Sequence, residues 1–217
     1  MGKVNKDTVI LSAQQLDHLA DVIQELELKT AGEIRLMIVG RSSTIGHVWF
    51  QIWTLLTGMT ALIFWLERDF FIFHADVWFW PVILLVYYFA AIQLAKLPGL
   101  QRLFIPRDDM ESQVWSRAEL EFQREGLNQT QGRTGILLFL SLMEHQAVVI
   151  GDKPIAAKLQ QSTWDEVIDL VLVGGKTGDW VGQLEKALRL CGGVMATHFP
   201  IGTVDHNELS NLVIVKD

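Results

Sequence analysis

Two long runs without a charged side chain constrain this chain more than any other feature of its sequence. The first, His47 to Leu66, reads HVWFQIWTLLTGMTALIFWL, and the second, Val77 to Ala95, reads VWFWPVILLVYYFAAIQLA. A helix of about 20 residues rises about 1.5 Å per residue and covers the ~30 Å hydrocarbon core of a bilayer. The two runs therefore predict a pair of transmembrane spans, at about 47–66 and 77–95, and the alternative is a buried helical hairpin in a soluble protein.

Aromatic and basic residues around the two runs favour a membrane and suggest an orientation. Trp and Tyr are enriched at membrane interfaces, and we expect anchoring roles for Trp49, Trp53, Trp65, Trp78, Trp80, Tyr87 and Tyr88. Arg41 precedes the first run and Lys96, Arg102 and Arg107 follow the second, whereas the connector from Glu67 to Asp76 is acidic. Because basic residues concentrate on the cytoplasmic side, both termini are expected in the cytoplasm of a two-span inner-membrane protein.

The charge and cysteine content exclude several classes of protein. A net charge of −7 disfavours nucleic acid as a partner, because binding its phosphates requires clustered Lys and Arg. The single cysteine, Cys191, can form neither an intrachain disulfide nor a cysteine-based metal site. The first ten residues, MGKVNKDTVI, contain no apolar core of signal-peptide length, so we expect the N-terminal part to remain in the cytoplasm.

A helix followed by a strand occurs on both sides of the apolar runs. Before them, a capping box at Ser12–Gln15 begins an amphipathic helix that ends near Lys29, and EIRLMIV at Glu33–Val39 predicts a buried strand. After them, a helix begins at Asp108, stops near Gly126, and leads into the apolar segment ILLFLSL. Strands separated by helices favour an α/β fold with helices covering the sheet.

The segment RTGILLFLSLMEHQAVVIGDK, residues 133–153, predicts an antiparallel hairpin with Glu144 and His145 at its bend. A general acid/base pair is the functional alternative, and it requires both side chains on one side of a pocket. Adjacent strand residues point to opposite faces, and residues at a hairpin tip are solvated. We therefore expect a turn role for Glu144 and His145.

Two further amphipathic helices are expected downstream as cover for the sheet. The first begins at Thr163 and ends at Gly174-Gly175, and the second stops near Gly192-Gly193 or continues towards His198. The predicted organisation is a cytoplasmic domain in two parts, 1–44 and 98–217, interrupted by the helical hairpin at 45–97.

Several short segments resemble the TPM domain family, in particular its bacterial branch, in which a membrane hairpin can accompany the domain. They are TAGEIRLMIV, RTGILLFLSLMEHQAVVIGDK, Trp164 and HFPIGTVDHNELSN. The resemblance implies an α/β sandwich around a small sheet. It also implies functions that are mixed within the family: acid-phosphatase-like activity, divalent-cation binding, and modulation or repair of membrane complexes.

Oxygen-bearing side chains near one end of the expected sheet are candidate ligands for Ca²⁺ or Mg²⁺. The candidates are Asp152, Asp205, Asn207, Glu208 and Glu33. Hard cations require several oxygen ligands, which these residues supply if the tail folds back to the strand end. The alternatives are a polar turn at Asp152 and a helix cap or docked tail at 205–208.

These observations leave two functions in competition. The favoured one is a membrane-anchored module for interaction with, assembly of or quality control of membrane protein complexes, whose partners are the bilayer and another membrane protein or a second copy. The alternative is a divalent-cation-binding domain, with or without phosphatase-like hydrolysis of phosphomonoesters. The sequence contains no P-loop, HExxH or G-x-S-x-G motif, so no catalytic residues are assigned.

Overall fold

The computed structural model describes residues 11–44, 46–67, 78–130, 132–159, 161–201 and 213–216. The chain divides into two compact units. The sheet unit consists of Met1–Ser42 and Glu111–Asp217, and the helix-pair unit consists of Ser43–Met110. The second unit is thus an insertion in the first.

The described elements alternate between helices and short strands. In chain order they are α1 (Ala13–Glu27), β1 (Glu33–Val39), α2 (Val48–Leu66), α3 (Phe79–Leu94), α4 (Pro98–Phe104), α5 (Arg107–Arg124), a 3-10 turn (Leu127–Gln129), β2 (Gly135–Ser141), β3 (Gln146–Gly151), α6 (Lys153–Lys158), α7 (Gln161–Thr177), α8 (Trp180–His198) and β4 (Ile214–Lys216). The capping box at the start of α1 is confirmed, since the Ser12 hydroxyl accepts from the Gln15 N–H and the Gln15 side chain accepts from the Ser12 N–H.

Four of the described strands form a mixed sheet in the order β3-β2-β1-β4. The central strands β1 and β2 are parallel, with Glu33 opposite Gly135 and Val39 opposite Ser141. Strand β4 is also parallel to β1, and β3 completes the predicted antiparallel hairpin with β2. Every residue of β1 and β2 is buried, which explains why both strands are rich in apolar residues, with Glu33, Arg35 and Ser141 as buried polar exceptions.

Helices cover both faces of the sheet and create two hydrophobic cores. On one face, side chains of β1, β2 and β3 pack with α1, α7 and α8; Ile34, Leu138, Leu19 and Leu188 belong to this core. On the other face, Met37 and Phe139 pack against α5 and the 3-10 turn. The α/β fold around a small sheet that was predicted from the sequence is therefore confirmed.

The Gly174-Gly175 pair does not end α7 as predicted, whereas α8 continues to His198, which is one of the two ends expected for it. Helix α7 continues past Gly174 and Gly175 to Thr177, and a Cβ at Gly175 would lie 3.1 Å from the ring of Trp180. Helix α8 continues through Gly192, where a Cβ would lie 2.7 Å from Leu26 of α1. The absence of side chains at Gly175 and Gly192 allows neighbouring helices to pack closely. The residue that follows α7 with a left-handed backbone conformation is Gly178, at φ 79°.

A buried ionic network holds β4 against the rest of the sheet unit. The Lys216 ammonium donates to Glu121 at 2.6 Å and to Glu125 at 2.9 Å, and Arg117 reaches Glu121 at 3.0 Å. Burial alone would raise the pKa of the fully buried Glu121, but the hydrogen bond from Lys216 and the nearby positive charges hold that pKa below its usual value. Glu121 is therefore an anion that compensates the charge of the Lys216 side chain.

Within the helix-pair unit, α2 and α3 pack antiparallel. Trp49 contacts Tyr88 with ring centroids 5.6 Å apart, and near the other ends Phe64 contacts Trp80 at 4.8 Å. A hydrogen bond of 2.8 Å joins the hydroxyls of Thr60 and Tyr87. The aromatic residues thus have two environments, since several pair between the helices whereas the Trp65 and Trp78 side chains are exposed.

The two helices differ in length, and this corrects the prediction that each of the runs 47–66 and 77–95 forms a helix long enough to span a membrane. Among the described residues, only α2 is both long and apolar enough to cross a bilayer by itself. Helix α3 has 16 residues and so rises about 24 Å, less than a ~30 Å hydrocarbon core. Its predicted start at Val77 lies outside the described residues, and Ala95 follows its last turn as the C-cap.

Candidate functional site

Buried polar side chains lie at both ends of the parallel strands β1 and β2. At the end where the strands finish, they come from the chain after β1 and from the β2–β3 turn. At the end where the strands begin, they come from α1, β1 and the residue after β3. The two groups differ in how completely their oxygen atoms are hydrogen-bonded.

The β2–β3 turn contains a buried carboxylate rather than a solvated one. Glu144 accepts hydrogen bonds from the Ser141 hydroxyl at 2.6 Å and from the Ser42 N–H at 3.0 Å, and the two serine hydroxyls lie 2.8 Å apart. Glu144 is 6% exposed, so the expectation that it is solvated at the tip was wrong. The carboxylate fixes the chain where it leaves β1, which no motif of the hairpin sequence indicated.

His145, the neighbour of Glu144 in the turn, has a different environment. Its side chain is exposed while that of Glu144 is buried, and its backbone is left-handed at φ 54°. Its N–H donates to the Leu142 carbonyl at 3.2 Å. His145 therefore belongs to the turn, as expected from the sequence.

Glu33 and Asp152 lie at the opposite end of the sheet, on either side of the first residue of β2. Glu33 pairs with Gly135 in the register of β1 and β2, and the Asp152 N–H donates to the Gly135 carbonyl at 3.0 Å. Asp152 is also the N-cap of α6, because its Oδ1 accepts from the Lys153 N–H at 2.7 Å. Its buried Oδ2 has no hydrogen-bond partner among the described residues.

A third carboxyl group at this end, Glu27, was not identified from the sequence. Its Oε1 accepts from the Ile34 N–H at 2.8 Å, on the side of β1 where β4 pairs only with Met37–Val39. Its Oε2 is buried and has no hydrogen-bond partner in the described part of the chain. The sequence contained a signal, because Glu27 lies four residues after Ile23 and so shares the apolar face of α1.

Burial gives Glu27 an unusual proton affinity. Desolvation, together with the smaller effect of the negative charge of Glu33, raises the pKa of its carboxyl to about 8, although the hydrogen bond from Ile34 and the charge of Arg35 act in the opposite direction. The group is therefore largely protonated at pH 7 in the folded protein. A protonated carboxyl can serve both as an acceptor for Ile34 and as a donor from its other oxygen.

Of the five predicted cation ligands, the structure describes Asp152 and Glu33. Asp205, Asn207 and Glu208 lie outside the described residues. In the described ranges, no group of three His, Cys, Asp or Glu side chains is arranged to hold a metal ion. Asp152, Glu33 and Glu27 share one end of the sheet, and Asp152 offers the unpartnered buried oxygen that a cation would require.

Comparisons with known proteins support the fold. No protein-family model matches this chain, and no curated protein does. The NMR structure of BA42, a protein from the psychrophilic bacterium Bizionia argentinensis, is similar, with a TM-score of 0.60 and 18% sequence identity. The similarity covers 98% of this chain and 99% of that chain. At this level of identity it shows a shared fold.

The raised pKa of Glu27 predicts a pH-dependent stability. The pKa rises from 4.5 to about 8 on folding, so the folded state retains a proton that the unfolded state releases in this window. The free energy of unfolding is therefore highest below pH 4.5 with respect to this group and falls as the pH approaches 8. The slope is at most about 1.4 kcal/mol per pH unit.

Urea unfolding of the full chain in detergent, followed by tryptophan fluorescence between pH 5 and 8, measures this effect. Glu27→Gln mimics the protonated group and should flatten the decline. Glu25→Gln, two residues away on an exposed turn of α1, is the matched control and should leave the slope unchanged. A wild-type protein without the decline, or a Glu27→Gln protein that retains it, would contradict the assignment.

Proposed function

We propose that this protein is a membrane-anchored cytoplasmic module that binds or assists another membrane protein. The observation that carries the proposal is the apolar exterior of the α2–α3 pair. In the most apolar 18-residue window of α2, only 11% of the residues are buried. Large exposed side chains cover both helices and include Leu55, Met59, Leu62, Ile63, Val82, Leu85, Val86 and Phe89.

Such a surface is unfavourable in water. Transfer of apolar area out of water is worth roughly 25 cal/mol per Å², and contiguous exposed apolar patches mark lipid or protein contacts. Gln51 and the hydroxyls of Thr54 and Thr57 are the main polar groups of α2, and both hydroxyls donate to carbonyls one turn back in the same helix. The helix therefore presents satisfied backbone and mostly apolar side chains to its surroundings, as lipid requires.

The sheet topology supports an even number of membrane crossings. Strand β1 precedes the helix pair and β2 follows it, yet the two strands are directly hydrogen-bonded neighbours. Both must then lie on the same side of any bilayer, and the chain between them crosses either twice or not at all. With α2 as one crossing, the antiparallel α3 is the return crossing, and its length of about 24 Å is accommodated by local thinning of the bilayer.

An orientation with both termini in the cytoplasm fits the basic flanks of the helix pair. Because the helix pair is inserted within the sheet unit, its anchorage in the membrane also keeps the sheet unit at the membrane. This favours binding of neighbouring membrane proteins over binding of soluble ones. The resemblance to the TPM domain family supports an assembly or quality-control role.

Labelling of single cysteines in intact cells tests the anchorage. In a Cys191→Ala background, we expect a membrane-impermeant maleimide to label Asp69→Cys in the connector but not Asp17→Cys or Ser112→Cys in the sheet unit. The reverse pattern, or labelling of all three positions, would contradict the topology. Extraction of the protein by alkaline carbonate would contradict membrane insertion itself.

Site-specific photo-cross-linking tests the partner. A photoreactive amino acid at Leu62 or Phe89, both exposed on the helix pair, should give a discrete product of higher mass with another membrane protein. Glu119, exposed on α5, is the control position. Products from self-association alone would replace the proposed partner with a second copy, and products with lipid only would refute the interaction role.

Divalent-cation binding is a second candidate, and the unpartnered Oδ2 of Asp152 favours it. A buried carboxylate oxygen without a partner is costly unless a proton, water or cation satisfies it. Asp152 fits as one oxygen ligand, Glu33 lies at the same end of the sheet, and residues 205–208 would supply the remaining oxygens. Phosphatase-like hydrolysis would be the enzymatic form of this candidate, with the cation activating water when bound.

Calorimetric titration of the full chain with Ca²⁺ and Mg²⁺ tests this candidate without depending on turnover. Asp152→Asn retains a side chain that caps α6 but loses the charge, so we expect affinity to fall at least about tenfold. Asp17→Asn, which removes an exposed carboxylate from α1, should bind as the wild type does. Equal binding by the wild-type and Asp152→Asn proteins would exclude Asp152 as a ligand.

A further inference from the structure

A cavity of about 530 Å³ lies within the sheet unit, and none of the buried carboxyl residues described above lines it. Its walls come from the end of α6, the first turn of α7 and the C-terminal half of α8. This volume falls within the range of roughly 300–1,000 Å³ that is typical of small-molecule sites. None of the functions considered above uses it.

The lining of the cavity is positively charged in a chain that is negatively charged overall. Lys158, Arg189 and His198 contribute to the walls, and no Asp or Glu does. The chain as a whole has a net charge of −7. A cationic concavity on such a protein favours anions locally, against the field of the rest of the surface.

Lys158 carries the charge that is not offset by a carboxylate. Its ammonium lies 4.4 Å from the ring centroid of Phe199 and 3.4 Å from the His198 carbonyl oxygen, contacts that hold it at the rim. Within the described residues, no carboxylate approaches its Nζ to 4.0 Å. Its remaining N–H groups are available to a ligand.

Arg189 is electrostatically different, because two carboxylates already neutralise it. Its Nε donates to Glu185 at 2.9 Å and its Nη1 donates to Glu25 at 3.2 Å. These hydrogen bonds raise the pKa of the guanidinium and hold it in place. The cavity therefore has approximately one positive charge to offset, which matches a monoanion better than a dianion.

The floor of the cavity is apolar and open. Leu159, Leu190 and Val194 line it, and Gly193 of α8 leaves space, since no atom lies within 4 Å of the position that a Cβ would occupy there. The hydroxyl-bearing residue Thr163 of α7 also lines the cavity. An occupant would thus meet apolar contacts below and a cation at one edge.

We propose that this cavity binds a small organic carboxylate with an apolar body, a monoanion whose carboxylate is held by Lys158. The apolar body lies over Leu190, Val194 and the gap at Gly193. This ligand class follows from the single uncompensated charge and the apolar floor. The proposal does not depend on membrane anchorage or on cation binding at Asp152.

A ¹⁹F NMR titration tests the proposal with 4-fluorophenylacetate as the probe and the full chain in lipid nanodiscs. Saturable binding is expected, with empty nanodiscs as the blank. The neutral analogue 4-fluorobenzyl alcohol should bind at least about tenfold more weakly, because it lacks the charge that pairs with Lys158. Equal affinity for the two probes, or no saturable binding of the acid, would overturn the proposal.

Two substitutions locate the site. Lys158→Gln should weaken binding of 4-fluorophenylacetate at least about tenfold, whereas Lys176→Gln, which removes an exposed lysine from α7, should have no effect. Gly193→Leu should fill the cavity and abolish binding, whereas Gly193→Ala should retain it, and circular dichroism verifies that both variants fold. Undiminished affinity in Lys158→Gln, or binding that survives in Gly193→Leu, would place the probe elsewhere and refute the site.

Discussion

The parallel pairing of β1 with β2 is the constraint on which the rest of the structure depends. Along the chain, β1 precedes an inserted pair of apolar helices and β2 follows it. The hydrogen bonds between the two strands require the chain to return, after the insertion, close to the point where it left the sheet. The antiparallel packing of α2 and α3 meets this requirement. Because β1 and β2 are buried on both faces, any displacement of one strand would disrupt two hydrophobic cores at once.

Buried carboxyl groups complete this pairing where backbone neighbours are missing. Glu144 receives the Ser42 N–H just after β1, and Glu27 receives the Ile34 N–H near the start of β1. Glu121 performs a related role through a side chain, since it binds Lys216 of the short strand β4. These groups stabilise the edges of a small sheet. In the described part of the chain, Glu27 and Asp152 differ from Glu144 and Glu121 because each of them has one buried oxygen without a hydrogen-bond partner.

Local patterns in the sequence predicted the structural elements that are determined by residues close together in the chain. The capping box at Ser12, the strand Glu33–Val39 and the hairpin around Glu144 all follow from spacing and apolar runs. The roles of Glu27 and Glu144 could not be read in the same way, because their partners are backbone groups brought close only by the fold. The Gly174-Gly175 pair was misread as a helix end, and the end of α8 was left open at Gly192-Gly193, for the same reason, since glycine ends a helix or allows close packing according to what lies next to it.

The separation of β1 and β2 along the chain has a consequence for folding order. Roughly a hundred residues are synthesised after β1 before β2 exists, and during that time an apolar strand has no partner. Closing so long a loop is entropically costly, but an antiparallel helix pair that forms first shortens the segment that remains to be closed. Early formation of the helix pair therefore favours sheet assembly, and slow formation of that pair would leave β1 open to association with other chains.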